Sequence, residues 1–307
     1  MKLNDMLNNG TVPQIGFGPG IFYHKSKDNQ NLAGLSLLLL KVRRRIWSKS
    51  ELQHEQDNYI NSIVNAFKIG YRLLDYSSSY GDGSLIGEAV RRSRVKRSDL
   101  FITTRITNQA QMTHTAREEF MRFLEKSKLE YVDILQFHWP VTNLFLDTWR
   151  EMENLYEEGY VKHLGVANCH QHHLEEIFKI CKYRPEIGQF EIHPLFTQKA
   201  LIEYYKSQDI LVEAYTPIAR NDDRLVKLPL LKRLETKYNK NLVQIILRWH
   251  IQNGIIPLVR SLTPAHQLCN FQIFDFQLDD DDMKAIDSIN INSRLRYDPD
   301  NCDFSIL

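Results

Sequence analysis

The sequence predicts an α/β fold, a closed (β/α)8 barrel with an insertion after its first strand, and three observations carry that reading. Strand-like apolar runs alternate strictly with helix-like segments, eight times along 307 residues. Five of the runs end in a polar residue able to do chemistry: Asp75, Arg105, His138, Asn168 and Tyr215. The first four of these lie 30, 33 and 30 residues apart, the length of one strand with its helical return. Parallel strands joined by helices bring their C-terminal ends to one face, and in a barrel that face carries the chemistry.

Each element follows from local pattern. Val12 to Phe17 reads as a short first strand ending in glycines. From Asn58 to Lys68 the apolar residues Tyr59, Ile60, Ile63, Val64 and Phe67 have helical spacing, and Gly70 stops the helix. Tyr71 to Asp75 is the second strand, Leu100 to Arg105 the third, Tyr131 to His138 the fourth and Val161 to Asn168 the fifth. Ile187 to Ile192, Ile210 to Thr216 and Ile255 to Ser261 complete the eight. Between them, helices are expected from Gly87 to Arg92, Ala116 to Ser127, Trp149 to Glu158, His172 to Lys182 and Leu201 to Ser207, with one or two from Leu228 to Gln252.

One segment breaks the repeat. Between Gly18 and Asp75 lie 56 residues, about twice what one return needs, so an insertion is expected over approximately residues 23–53 of a single barrel spanning 1–307. It holds the run Leu35 to Leu40 and then Arg43, Arg44 and Arg45. That run is too short to span a bilayer, and the expectation is an element packed on the barrel with no membrane binding.

Composition excludes several classes. A formal net charge of +1 gives no field that would draw nucleic acid or an anionic membrane. Four cysteines without C-x-x-C spacing, and an N-terminus without an apolar signal core, predict reduced thiols in a cytoplasmic protein, monomeric or weakly self-associating. His170, His172 and His173 cluster at a helix start, where no matching acidic or cysteine partner completes a ligand set, so no metal is expected. The glycines Gly16, Gly18 and Gly20, and Gly81, Gly83 and Gly87, lack G-x-G-x-x-G spacing.

The motifs resemble a known family along nearly the whole chain. Gly70-Tyr71-Arg72-Leu73-Leu74-Asp75-Tyr76-Ser77-Ser78-Ser79-Tyr80-Gly81, Leu135-Gln136-Phe137-His138-Trp139-Pro140, Gly188-Gln189-Phe190-Glu191-Ile192-His193-Pro194 and Ala214-Tyr215-Thr216-Pro217 are similar to signatures of the aldo-keto reductases. The ending Tyr297-Asp298-Pro299-Asp300-Asn301-Cys302-Asp303-Phe304 resembles their bacterial keto-acid and sugar-reductase branch. The resemblance implies hydride transfer from a nicotinamide to an aldehyde or ketone, with Tyr80 as general acid, Asp75 buttressing and His138 polarising the carbonyl oxygen. A nearby cation lowers a tyrosine pKa. The resemblance places a lysine in that role, and Arg105 stands there instead. A planar guanidinium suits a bidentate grip on Asp75, and on the resemblance alone Arg105→Lys is expected to raise turnover.

The same resemblance assigns a cofactor site to Asn168, Gln189, Tyr215, Arg260, Ser261, His266 and Asn270, with Ala167 in place of a serine. Arg260 favours NADPH, with NADH as the alternative, since arginine suits a phosphate. Trp139, Phe22 and Tyr23 are expected to line the mouth for a small carbonyl substrate. The rival reading is a nucleotide-binding regulatory or sensor barrel without efficient turnover, because of Arg105.

Overall fold

A computed structural model describes residues 12–20, 22 and 49–306. Eight parallel strands close on themselves in sequence order, a TIM barrel. They are β1 (Gly16–Phe17), β2 (Leu73–Asp75), β3 (Phe101–Ile106), β4 (Val132–Phe137), β5 (Val161–Ala167), β6 (Ile187–Glu191), β7 (Leu211–Tyr215) and β8 (Ile255–Val259). β1 closes the ring by pairing Gly16 with Leu73 on one side and with Leu258 on the other.

The helices in chain order are α1 (Lys49–Ile69), α2 (Gly83–Ser93), α3 (Asn108–Met112), α4 (Ala116–Ser127), α5 (Phe145–Glu157) and α6 (Gln171–Ile180). Then follow α7 (Lys199–Ser207), α8 (Asp223–Val226), α9 (Pro229–Tyr238), α10 (Leu242–Gln252), α11 (Pro264–Phe271) and α12 (Asp280–Asp287). No helix among the described residues is long and apolar enough to cross a membrane. Residues 23–48 of the expected insertion, including Tyr23, lie outside the described residues. The last residues of that expected insertion belong to α1, which starts nine residues before the predicted Asn58. The long run from Leu228 splits in two for a local reason. Asn239 adopts a left-handed φ of 50° and ends α9. Asn241 then opens α10 with a reciprocal cap: its side chain accepts the Gln244 N–H at 2.9 Å, while Gln244 Oε1 accepts its backbone N–H at 3.1 Å.

Strand period 2 explains what fills the barrel. Leu73, Phe101, Ile134, Ile187, Leu211, Ile256 and Leu258 point inward at the N-terminal end and, with Val12, form one closed apolar cluster. Two residues further along the same strands, the inward positions turn polar: Asp75, Thr103, Gln136, Gln189 and Glu213. Gly165 belongs to this layer on β5, where a Cβ would sit 2.5 Å from Ile187 Cγ2 and 3.1 Å from Gln136 Cγ. The bare backbone there makes room for the Gln136 side chain.

Candidate active site

At the C-terminal end of the barrel the polar layer becomes a connected network around Arg105, which is 1 % exposed. A buried cation must be paired and fully bonded to be tolerated. Arg105 Nη2 donates to Asp75 Oδ1, Nη1 donates to the Tyr76 carbonyl at 3.1 Å, and Nε donates to Gln136 Oε1 at 3.1 Å. Gln189 Nε2 donates to Asp75 Oδ1 at 3.1 Å and to Glu213 Oε2 at 2.9 Å. Gln136 Nε2 reaches the same Glu213 oxygen at 3.3 Å. The guanidinium therefore does not take Asp75 bidentately, as the sequence suggested; its donors are spread over three acceptors. The physical reason is position: Arg105 lies level with Gln136 in the ladder, so its Nε faces β4 while only its tip reaches β2.

Tyr80 sits in a short turn, Ser78–Tyr80, directly after β2. The Ser77 side chain accepts the Ser79 N–H, and Tyr80 N–H bonds the Ser77 carbonyl at 2.8 Å. Its ring is partly buried and meets the His138 ring edge-on, centroids 6.1 Å apart. No side chain among the described residues hydrogen-bonds its hydroxyl. Burial pushes the Tyr80 pKa up, and the Arg105 charge only partly offsets this. The cation thus tunes the tyrosine in the direction the sequence implied, but desolvation is the larger effect. His138 is held neutral, its pKa pushed down to about 3 by burial and then by Arg105 and Arg296. Glu213 rises to about 7 through burial and the neighbouring Asp75.

The remaining expected residues fall into four places. Asn168, at a φ of 58° that asparagine tolerates, ends β5 and is oriented by two bonds: Nδ2 donates to the His138 carbonyl at 2.9 Å and Oδ1 accepts the Tyr215 hydroxyl at 2.7 Å. Arg260 and Ser261 follow β8, with exposed His266 and half-buried Asn270 on α11. The Ser261 hydroxyl accepts the Thr263 N–H at 3.1 Å, and Gln267 anchors α11 to the Ser62 carbonyl at 3.0 Å. Trp139 is buried at 2 % exposure beneath the C-terminal tail, clustered with Val141 and Phe304. Phe22 packs edge-on against Tyr59, and its N–H bonds the Tyr80 carbonyl at 2.9 Å.

Sequence reasoning missed four residues that shape this site: Gln136, Glu213, Glu191 and Arg296. Gln136 and Glu213 share the inward parity of His138 and Tyr215, which was a readable signal. Glu191 accepts the Leu295 N–H at 2.7 Å and the Arg296 N–H at 2.9 Å, so it fixes the tail that brings Arg296 to the mouth. No local signal marks that pairing across 104 and 105 residues. The tail also corrects the reading of the histidine cluster. Asp300 supplies an acidic partner, 2.7 Å from His170 Nδ1 and 3.1 Å from His172 Nε2.

The mouth suits a nicotinamide dinucleotide. The Tyr215 ring is fixed through its hydroxyl and offers a flat face at the end of β7. Gln189 keeps a carbonyl oxygen with no bond among the described residues, a fit for an amide donor. Gly20, at a φ of +72°, lies against Arg260, whose Nε would be 2.5 Å from an added Cβ. The guanidinium thus rests on bare backbone at the rim, next to the start of α11.

The aldo/keto reductase family model matches residues 47–291. An uncharacterized oxidoreductase, YtbE of Bacillus subtilis (strain 168), is 39 % identical over 255 residues, covering 81 % of this chain and 90 % of that protein. Glyoxal reductase of the same organism is 37 % identical over 243 residues, covering 79 % and 87 %. The crystal structure of MGS-M4, an aldo-keto reductase enzyme from a Medee basin deep-sea metagenome library, superimposes with a TM-score of 0.81 at 30 % identity, covering 95 % of this chain and 96 % of that one.

Proposed function

The chain belongs to the aldo/keto reductase family, and from that premise we propose that it reduces a small aldehyde or ketone to the alcohol with NADPH, Tyr80 giving its proton to the carbonyl oxygen. One observation carries the reading: the Tyr80 and His138 rings meet at the mouth above a buried arginine bonded to Asp75, Tyr76 and Gln136. The reduced nicotinamide supplies the hydride. Tyr215 would hold the nicotinamide ring, Asn168 and Gln189 its carboxamide, and Arg260 with Ser261 the phosphate on the adenosine ribose.

The chain's own groups do the rest. His138, uncharged, donates one N–H to the carbonyl oxygen and polarises it. Tyr80 keeps its proton at neutral pH, burial raising its pKa, so the form present is the acid that reduction uses. Arg105 then balances the tyrosinate that forms, and its own pKa stays above the ordinary value: burial pulls it down, and Asp75 with Tyr80 more than restores it. Glyoxal reductase among the relatives supports a small, activated carbonyl as substrate.

The test is a single turnover of bound NADPH with glyoxal or an activated aromatic aldehyde. A burst of oxidation coupled to alcohol formation is expected. Tight NADPH binding without oxidation would leave the nucleotide-sensor reading instead.

A further inference from the structure

We propose that His170, His172 and Asp300 form a site for one divalent transition-metal ion of the zinc class, which ties the C-terminal tail to the barrel. Asp300 Oδ2 lies 2.7 Å from His170 Nδ1, and its Oδ1 lies 3.1 Å from His172 Nε2. One ligand atom from each of the three residues falls within 4.8 Å of the others. Tetrahedral zinc with bonds of about 2.0–2.1 Å to histidine nitrogen sets its ligands roughly 3.3 Å apart. The ion would draw these atoms, now within 4.8 Å of one another, toward that spacing, replacing the proton now shared between His170 and the carboxylate. Two imidazoles and a carboxylate are a borderline donor set of the kind zinc takes.

The surroundings are those of a reachable, three-ligand site. The His172 side chain is 53 % exposed and Asp300 37 %, which leaves a fourth position to water. His173 supports the site from behind: its Nδ1 accepts the His170 N–H at 3.1 Å, its Nε2 lies 3.6 Å from Asp300 Oδ1, and its ring packs 4.0 Å from the His172 ring, holding that ligand's orientation. The N-terminus of α6 and Arg294, 3.3 Å from His170 Nε2, oppose a cation. Asp300 offsets them, and Asp298, 3.9 Å from Arg294, gives that guanidinium a partner to turn to once His170 carries its proton on Nε2.

The consequence reaches the mouth. The tail that bears Asp300 also places Arg296 near Tyr80 and His138 and lays Phe304 over Trp139. An ion at its midpoint fixes both. This site stands independently of the carbonyl chemistry, which its failure would leave untouched.

The experiment titrates the full chain, free of any histidine tag, with zinc chloride, and repeats it with cobalt(II) as the spectroscopic probe. One equivalent is expected to bind, with a nitrogen–oxygen cobalt spectrum and slower proteolysis of the tail. His172→Gln and Asp300→Asn should each weaken binding more than about tenfold, since loss of even an outer partner of a ligand costs about 10–100-fold. Exposed His114→Gln should bind as the wild type does. No binding by the wild type, a thiolate cobalt band, or binding unchanged in both variants overturns the proposal. His172→Gln alters a ring largely in solvent, so its result stands even where Asp300→Asn loosens the tail.

Discussion

Arg105→Lys keeps the buried charge and removes the fork, so it isolates what the guanidinium geometry contributes. Arg105 bonds Asp75, the Tyr76 carbonyl at 3.1 Å and Gln136 Oε1 at 3.1 Å. A compact ammonium on a shorter stem holds Asp75 and at most one of the other two. One or two buried acceptors are then unpaired, at about 2 kcal/mol each, or about 2–4 kcal/mol in all. With about 2.1 cal/mol/K of unfolding entropy per residue, this chain's length converts that to a fall in melting temperature of roughly 3–6 °C. Turnover should fall too, because Gln136 or the Tyr76 carbonyl loses the group that positions it. The motif resemblance argues the opposite, a gain. Calorimetry and single-turnover hydride transfer at saturating cofactor decide between them. An unchanged melting temperature with faster transfer would refute the reasoning, and would show that three directed bonds matter less here than the charge alone.

Other outcomes follow from the same geometry. Tyr80→Phe should lose about 10²–10⁴-fold in reduction, with cofactor binding by fluorescence retained; a variant keeping half its turnover removes Tyr80 from the role. The reduction profile should show no histidine limb near 6.5, because His138 sits at about 3, and its alkaline limb should lie above 10.0, where burial has raised Tyr80. Arg260→Ala should raise KM for NADPH roughly 10–100-fold, the worth of a charge-assisted contact, and leave NADH unaffected; equal weakening of both would move the phosphate elsewhere. Glu213 titrates at about 7 when folded against 4.5 as its ordinary value, so the folded state holds its proton longer and the wild type loses stability as pH rises through that window. Glu213→Gln lacks this loss; denaturant midpoints of both proteins across that range should diverge as pH rises, and parallel curves would contradict it.

The barrel was legible because its signal is local and repeated. Each strand end that carried a polar residue in the sequence carries it at the mouth, and α4 falls on the predicted residues. Helices α11 and α12 went unread although Pro264 at the first turn and Asp279 as cap are start signals; their few apolar residues hid the period. Parity along β4 and β7 pointed to Gln136 and Glu213, but nothing local says that an arginine on β3 needs both. The tail was opaque for another reason. Asp300 meets His170 across 130 residues, and such a pairing exists only once the barrel has brought its end round to the mouth.

The network around Arg105 also constrains how such a chain can change over generations. Asp75, Arg105, Gln136, Gln189 and Glu213 share bonds, so altering any one strands a buried charge or acceptor on its neighbours. An exchange of arginine for lysine there is therefore best tolerated where a neighbour changes with it. The order in which these positions are changed then decides which variants keep every buried group paired.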